Sequence, residues 1–271
     1  MNNNINNCKD ILELVNNLKD EKEIVDFVRE RINVLENNSF DRTLCYDNNG
    51  RGIGTINSGY INSNSGIVTS LLVEPFYMDD INIYVEFIKF IHGNDLPGVM
   101  DFIYELQNFI NKNFGYKGDS KARINFYADM TENRKKISIS DFLQKNIALC
   151  SEQGAVVQNL AEFFMIKSYY VIGNLISDKS VPHVYNIFSL SNGTLILYDV
   201  TNPVELKNGG AALAINIIGK ENIENVERIK FDFDFIQKHY GEIEEKELAR
   251  ERIYETCNYE LNKVNSANKK R

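Results

Sequence analysis

One segment, "HVYNIFSLSNGTLILYDVTNP" from His183 to Pro203, constrains the fold of this chain more than any other. Two runs rich in β-branched and aromatic residues flank an Asn-Gly pair, which is typical of a β-hairpin. Successive side chains of a strand point to opposite faces, so the register of the hairpin decides which polar groups can meet. The register in turn depends on the length of the loop.

Two registers are compatible with these residues. With the Asn-Gly pair as a two-residue turn, His183 lies opposite Asn202, and His183 and Asp199 point to opposite faces. With a three-residue Ser-Asn-Gly loop, whose glycine is left-handed, His183 lies opposite Thr201 instead. His183 and Asp199 are then diagonal neighbours on one face, within reach of an imidazole–carboxylate hydrogen bond. A shared chemical role for the pair requires the second register.

A lone cysteine, Cys150, precedes a predicted core helix in the segment "NIALCSEQGAVVQNLAEFF". The residues after Glu152 are apolar around most of a helix, which indicates that this helix is embedded in the core. At a helix N-terminus the dipole and the backbone N–H groups favour a thiolate and could stabilise an oxyanion. An unpaired cysteine is also a common core residue, so packing is the alternative interpretation.

Apolar spacing predicts the other elements of the chain. Residues 10–35 predict one or two amphipathic helices, and residues 95–114 predict a helix with Pro97 in its first turn. The stretch 41–66, rich in Gly, Asn and Ser, predicts loops and short hairpins. A short helix "SDFLQKN" before Cys150, strands at 67–77, 169–172, 184–190, 194–200 and 229–233, an apolar stretch at 211–218 and a surface helix at 242–262 complete the prediction.

Composition narrows the class of protein. The chain has 271 residues, 43% of them hydrophobic, so a sizeable core is possible. A formal net charge of −8 disfavours binding to nucleic acid or to anionic membranes. The four cysteines lack CxxC spacing, the N-terminus lacks a signal-peptide pattern, and no apolar run reaches about 18 residues. We therefore expect a soluble cytoplasmic protein without a metal and without nucleic-acid or membrane partners.

The stretches "LCSEQGAVVQNLAEFFMIKSYYVIGNL", "PHVYNIF" and "LYDVTNP" together resemble the catalytic core of the transglutaminase-like superfamily. In that family a cysteine opens a core helix, a histidine begins a strand, and an aspartate ends the next strand. The resemblance implies an α+β, papain-like fold whose cysteine helix packs on an antiparallel sheet. It also implies that Cys150 is the nucleophile, His183 the base and Asp199 the acid that orients the base.

The match has departures and two further candidate residues. Ala148-Leu149 precedes the cysteine where the family often has glycine, and Tyr185 replaces the tryptophan that follows the histidine. Tyr185 could still pack beside the imidazole. Gln144 lies six residues before Cys150, as the oxyanion glutamine does in papain-like proteases, although a surface amide on a helix is the alternative.

The sequence therefore predicts a core of residues 135–271 that catalyses cysteine-dependent acyl transfer. It would act on an amide bond of a protein or peptide through a thioester, without a cofactor, as a peptidase, an amidase or a protein-glutamine acyltransferase. Residues 1–134 are predicted to form a helical and loop region without an assigned role. Alternatively, they belong to one continuous domain with residues 135–271. The alternatives are an arylamine N-acetyltransferase-like enzyme that uses acetyl-CoA, because "CSEQ" resembles that family, and a catalytically inactive transglutaminase-like binding module.

Two other histidines do not enter this prediction. His92 in "FIHGN" and His239 in "QKHYG" each lie shortly before a glycine, at positions that look like helix ends. A histidine there is commonly a cap or a surface residue.

Overall fold

The computed structural model of the chain has an α+β architecture. The residues that it describes are 7–37, 42–46, 52–57, 60–62, 81–96, 98–114, 121–122, 125–126, 129, 145–174, 182–190, 195–202, 204–205, 211–212 and 215–219. The helices are α1 (Cys8–Asn16), α2 (Glu21–Asn37), α3 (Ile81–Ile91), α4 (Val99–Phe114) and α5 (Cys150–Phe163). The strands are β1 (Arg42–Tyr46), β2 (Gly52–Asn57), β3 (Tyr60–Asn62), β4 (Ser168–Asn174), β5 (Pro182–Ser189), β6 (Leu195–Tyr198), β7 (Val204–Glu205), β8 (Ala211–Ala212) and β9 (Ile215–Gly219).

The largest described sheet has the strand order β3-β4-β5-β6-β9. The pairs β4–β5, β5–β6 and β6–β9 are antiparallel. Strand β3 pairs with the edge of β4 in parallel. The short pairs β1–β2 and β7–β8 form separate antiparallel ladders. The central strands are buried, and all four side chains of β6 are inaccessible to solvent.

The register of β5 and β6 is the one that the three-residue loop requires. Asn186 lies opposite Tyr198, and Ser189 lies opposite Leu195. The two-residue turn would move every partner by one position and send the side chains of one strand to the wrong face. Of the two registers that the sequence left open, the structure has the second.

The helix predicted over 95–114 is confirmed as α4, and the helical stretch over 10–35 is two helices, α1 and α2. The patterns above do not predict α3. Its sequence, "INIYVEFIKFI", has polar residues at helical spacing (Asn82, Glu86 and Lys89), but it is rich in residues that favour strands, which obscures the helix. The predicted elements at 67–77, 229–233 and 242–262, and the helix "SDFLQKN", lie outside the described residues.

Aromatic side chains of α3 and α4 surround the C-terminal end of α5. The ring of Tyr84 lies 5.0 Å from that of Phe163, centroid to centroid. The rings of Phe87 and Phe102 lie 5.7 Å and 5.2 Å from that of Phe164. Side chains from before and after residue 134 therefore share one hydrophobic core.

The C-terminus of α5 is closed by backbone and side-chain hydrogen bonds. The backbone N–H of Met165 donates to the carbonyl of Glu162 at 2.9 Å, and that of Ile166 donates to Ala161 at 2.8 Å. This pair of bonds is the Schellman motif, in which the residue after the cap is left-handed. Met165 has that conformation, with φ 57°, where glycine is the usual residue. Buried Arg31 of α2 adds a hydrogen bond from Nε to the carbonyl of Phe163 at 3.1 Å.

Replacement Met165→Gly is expected to raise the free energy of unfolding by roughly 0.5–1 kcal/mol, because glycine adopts φ > 0 without a Cβ clash. Met165 is 42% exposed, so little packing is lost with its side chain. Urea unfolding of the two proteins measures the change. Met165→Ala is the matched control, since it removes the same side chain and keeps the Cβ. An equal gain in both variants would contradict the explanation.

Helix α5 lies unusually close to β5 at Gly154. A Cβ on Gly154 would be 2.8 Å from Cγ1 of Val184 and 3.3 Å from Cε2 of Tyr170. Asn186 of β5 joins the two elements, because its Nδ2 donates to the Gly154 carbonyl at 3.1 Å. Only a residue without a side chain allows this approach, so Gly154 sets the distance between the helix and the sheet.

Replacement Gly154→Ala is expected to destabilise the protein by up to about 2 kcal/mol. Alanine favours a helix over glycine by about 1 kcal/mol, but overpacking a core costs about 1–3 kcal/mol. Val184→Ala opens the space that the new methyl group needs. In a double-mutant cycle followed by urea unfolding, Gly154→Ala should therefore cost less in the Val184→Ala background. A stabilising Gly154→Ala in the wild-type background would show that the helix is free to shift.

Candidate active site

The backbone that leads into α5 is held by side chains of the helix itself. Glu152, which is buried, accepts a hydrogen bond from the Leu149 backbone N–H at 3.0 Å. Gln153 donates from Nε2 to the carbonyl of Ala148 at 3.1 Å. Asn146 turns the chain toward the helix with φ 54°, a conformation that asparagine adopts more readily than most residues. These contacts fix the position of the first helical residue, Cys150.

Cys150 has a free thiol that is half-buried and lies beside His183. The two side chains are close enough to hydrogen-bond with each other. The capping residue Leu149 has no side-chain acceptor, so it does not occupy the first N–H groups of α5 in the way that serine or aspartate would. The sulfur therefore lies at the positive end of the helix dipole and next to an imidazole.

His183 and Asp199 form a buried pair. Nε2 of His183 lies 2.7 Å from Oδ2 of Asp199, and the two side chains are 8% and 2% exposed. Asp199 thus lies at Nε2 of the ring, and Cys150 lies beside the same imidazole. The imidazole thus connects the carboxylate with the thiol.

Four hydrogen bonds compensate the charge of the Asp199 carboxylate. Oδ1 accepts from the backbone N–H of Thr201 at 3.1 Å and from its hydroxyl at 3.0 Å. Oδ2 accepts from His183 and, at 2.8 Å, from Nδ2 of Asn202. Nδ2 of Asn202 also lies 3.2 Å from Nε2 of His183. A carboxylate with all its lone pairs engaged is fixed in orientation and stays ionised.

The pair has strongly perturbed acidities. Burial by itself would lower the pKa of His183, but the charge and hydrogen bond of Asp199, with the contact to Cys150, raise this pKa to about 10. Burial by itself would raise the pKa of Asp199, but His183, Asn202 and Thr201 together lower it below its ordinary value. At neutral pH the resting His183 is therefore an imidazolium that faces the Asp199 carboxylate and lies beside the Cys150 sulfur.

Three of the five residues that the sequence singled out come together in the structure: Cys150, His183 and Asp199. Gln144 lies outside the described residues. Tyr185 is buried on β5, two residues after His183 and opposite Val171 of β4. Its predicted role beside the substrate or the oxyanion stays a prediction.

His92 is outside this cluster. It directly follows the last residue of α3, and its Nε2 lies 2.8 Å from the carbonyl of Leu18. The next residue, Gly93, is left-handed with φ 81°. The prediction that His92 marks a helix end is confirmed.

The sequence interpretation missed Thr201 and Asn202 as partners of Asp199. Their signal is the order Asp-Val-Thr-Asn, because an aspartate that precedes such residues commonly accepts hydrogen bonds from the turn that follows it. Both residues also appeared in the hairpin registers, since the two-residue turn places Asn202 opposite His183 and the three-residue loop places Thr201 there. The structure brings both to the carboxylate, since the chain bends after β6 ends at Tyr198.

Within the described ranges, no group of three or more His, Cys, Asp or Glu side chains could hold a metal ion. No helix among those residues has the length and apolar character that crossing a membrane requires. Comparison of the chain with protein-family models, with curated proteins and with solved structures gave no match. Function is therefore inferred from the geometry of the site.

The raised pKa of His183 predicts a pH-dependent stability. Its contribution is present in full below the ordinary pKa of 6.5 and is lost as the pH rises through about 10. Since one unit of pKa corresponds to about 1.4 kcal/mol, wild-type stability should fall by a few kcal/mol over this window. Asp199→Asn removes the charge that raises this pKa, so the fall should be much smaller in the variant.

Urea unfolding of both proteins at half-unit intervals of pH measures this effect. The difference between the two curves cancels the titration of tyrosines, lysines and other cysteines, which both proteins share. A difference that stays constant from neutral pH to pH 10 would show that the His183–Asp199 pair is not ionised as described.

Proposed function

We propose that this chain is a cysteine-dependent acyl-transfer enzyme that acts on an amide bond of a protein or peptide through a thioester intermediate. The observation that carries the proposal is the line of contacts from the Cys150 thiol through the His183 imidazole to the Asp199 carboxylate. These side chains come from three separate elements: the first residue of α5, the beginning of β5 and the end of β6. Burying an ion pair carries a desolvation cost, so hydrophobic packing alone does not account for one at this position.

The perturbed acidities favour the first chemical step. An imidazolium beside the sulfur stabilises the thiolate, which is the nucleophilic form of cysteine. The Cys150 sulfur attacks the carbonyl carbon, and a carbon–sulfur bond forms as the carbonyl oxygen takes up negative charge. Backbone N–H groups at the beginning of α5 would stabilise that oxygen, and the helix dipole has the appropriate sign.

Collapse of this adduct needs a proton on the leaving amine. His183 donates the proton from the nitrogen that faces Cys150, the carbon–nitrogen bond breaks, and the thioester remains on the sulfur. Asp199 keeps the ring oriented and stabilises the imidazolium between steps. Water or a second amine then gives a proton to His183 and attacks the thioester, which releases a carboxylic acid or a new amide. The thiolate and the imidazolium are restored.

Reactivity of Cys150 toward iodoacetamide tests the first part of the proposal. An ordinary thiol loses about tenfold in rate for each pH unit below its pKa of about 8.5. Between pH 6 and pH 8 Cys150 should react faster than an ordinary thiol, because the neighbouring imidazolium activates the sulfur. Peptide mass spectrometry after brief labelling gives the rate at each cysteine separately.

The chain supplies an internal control in Cys8, because burial raises the pKa of that thiol to about 11. Cys8 should stay almost unlabelled throughout the range. In His183→Gln and Asp199→Asn the rate at Cys150 should fall with pH as it does for a free thiol. A wild-type Cys150 that already behaves in this way would overturn the assignment of the nucleophile.

Acylation of Cys150 by an activated ester tests the second part. Incubation with p-nitrophenyl acetate should release nitrophenol in a burst and add one acetyl group to the Cys150 peptide. Cys150→Ala should lack both the burst and the adduct. A thermal shift with acetyl-CoA, with free CoA as its control, would instead favour the acetyltransferase alternative. Absence of any adduct on a reactive Cys150 would favour the binding module.

A further inference from the structure

A glutamine from the N-terminal part of the chain lies behind the proposed acid. Gln107 of α4 is only 2% exposed, and its amide makes three hydrogen bonds. Oε1 accepts from the hydroxyl of Tyr198 at 2.8 Å. Nε2 donates to the carbonyl of Val200 at 3.2 Å and to Oδ1 of Asn111 at 2.8 Å. Two of these bonds therefore reach the residues on either side of Asp199.

The chemistry of the partners fixes the orientation of this amide. The Val200 carbonyl can only accept, so it must face the NH₂ group of Gln107. The Tyr198 hydroxyl then faces the amide oxygen and donates to it. A flipped amide would bring two carbonyl oxygens together. The donor and the acceptor of one rigid amide are thus matched to the Val200 backbone carbonyl and to the Tyr198 side-chain hydroxyl.

Asp199 needs such support because it lies beyond the sheet ladder. The last pair between β5 and β6 is Asn186 with Tyr198, and the strand ends there. Gln107 holds the tyrosine that ends the strand and the carbonyl that follows the aspartate. The two contacts, one to the Tyr198 side chain and one to the Val200 carbonyl, restrain the chain just before and just after Asp199 and so limit the directions that its side chain can take.

We propose that Gln107 is a positioning residue for the acyl-transfer site, which aims the Asp199 carboxylate at His183 by clamping Tyr198 and Val200. This inference rests on the proposed function and extends it. It gives the N-terminal region a role in the chemistry, because α4 supplies the clamp. Gln107 does not contact the reacting atoms and acts through the segment around Asp199.

A purely structural role would have a different signature. The buried Tyr198 hydroxyl needs a partner in any case, so loss of Gln107 destabilises the fold whether or not it positions Asp199. A positioning role requires in addition that the protonation of His183 and the reactivity of Cys150 change. Stability alone therefore cannot test the inference, and a pH profile is needed.

Gln107→Leu is the informative variant, since it keeps most of the volume and removes all three hydrogen bonds. We expect the rate of Cys150 alkylation near pH 6 to fall on the order of tenfold, because Asp199 would no longer hold the imidazolium in place beside the sulfur. Leu106→Ala is the matched control from the same helix, because it opens a buried cavity without touching the clamp. It should lower stability and leave the pH profile of Cys150 unchanged.

A second readout keeps the inference separate from the proposed function. The chain has three histidines, so the titration of His183 can be followed by NMR in protein with labelled imidazoles and assigned with His183→Gln. If wild-type Cys150 proves to be an ordinary thiol, the proposed function fails. The positioning role still stands if Gln107→Leu shifts the His183 titration to lower pH and Leu106→Ala does not.

Tyr198→Phe provides a milder variant in case Gln107→Leu does not fold. It removes one of the three bonds, keeps the ring, and should move the His183 titration in the same direction by a smaller amount. A folded Gln107→Leu or Tyr198→Phe with the wild-type titration would overturn the inference. So would a Leu106→Ala that shifts the titration as far as they do.

Discussion

A buried negative charge is the constraint on which this site depends. The Asp199 carboxylate is 2% exposed, and an uncompensated charge at such a depth would cost several kcal/mol. Its compensation organises the surroundings: the chain bends after β6 so that Thr201 and Asn202 donate to it, and His183 supplies the positive charge. A carboxylate that satisfies these demands has a single orientation. The fixed imidazole beside it follows from the same requirement.

The position of the thiol depends on a second constraint, the close approach of α5 to β5. Gly154 allows the contact with Val184, and Asn186 joins the two elements by a hydrogen bond. At its other end α5 is held by aromatic rings and by Arg31. A helix fixed at both ends cannot slide along its axis, so Cys150 at its N-terminus keeps its distance from His183.

The N-terminal helices and α5 contribute side chains to one hydrophobic core. Helices α3 and α4 contribute the rings around Phe164, and α4 also contributes Gln107 behind Asp199. A close-packed core deforms little, so a shift of one helix displaces the elements packed against it. The region before residue 134 can therefore influence the chemistry without contributing a reacting group.

The sequence by itself determined the amphipathic helix α4, the two strands that flank the Asn-Gly pair, and the three residue types that meet at the site. These follow from local rules of periodicity, turn chemistry and helix termini. It did not reveal α3, whose polar residues have helical spacing but whose apolar residues favour strands, or Gln107, two of whose partners are about ninety positions away. It also left the hairpin register open, because both loops suit the same residues. Only the tertiary structure decided these points, since burial of α3, compensation of Asp199 and the face on which His183 lies depend on groups that are distant in the chain.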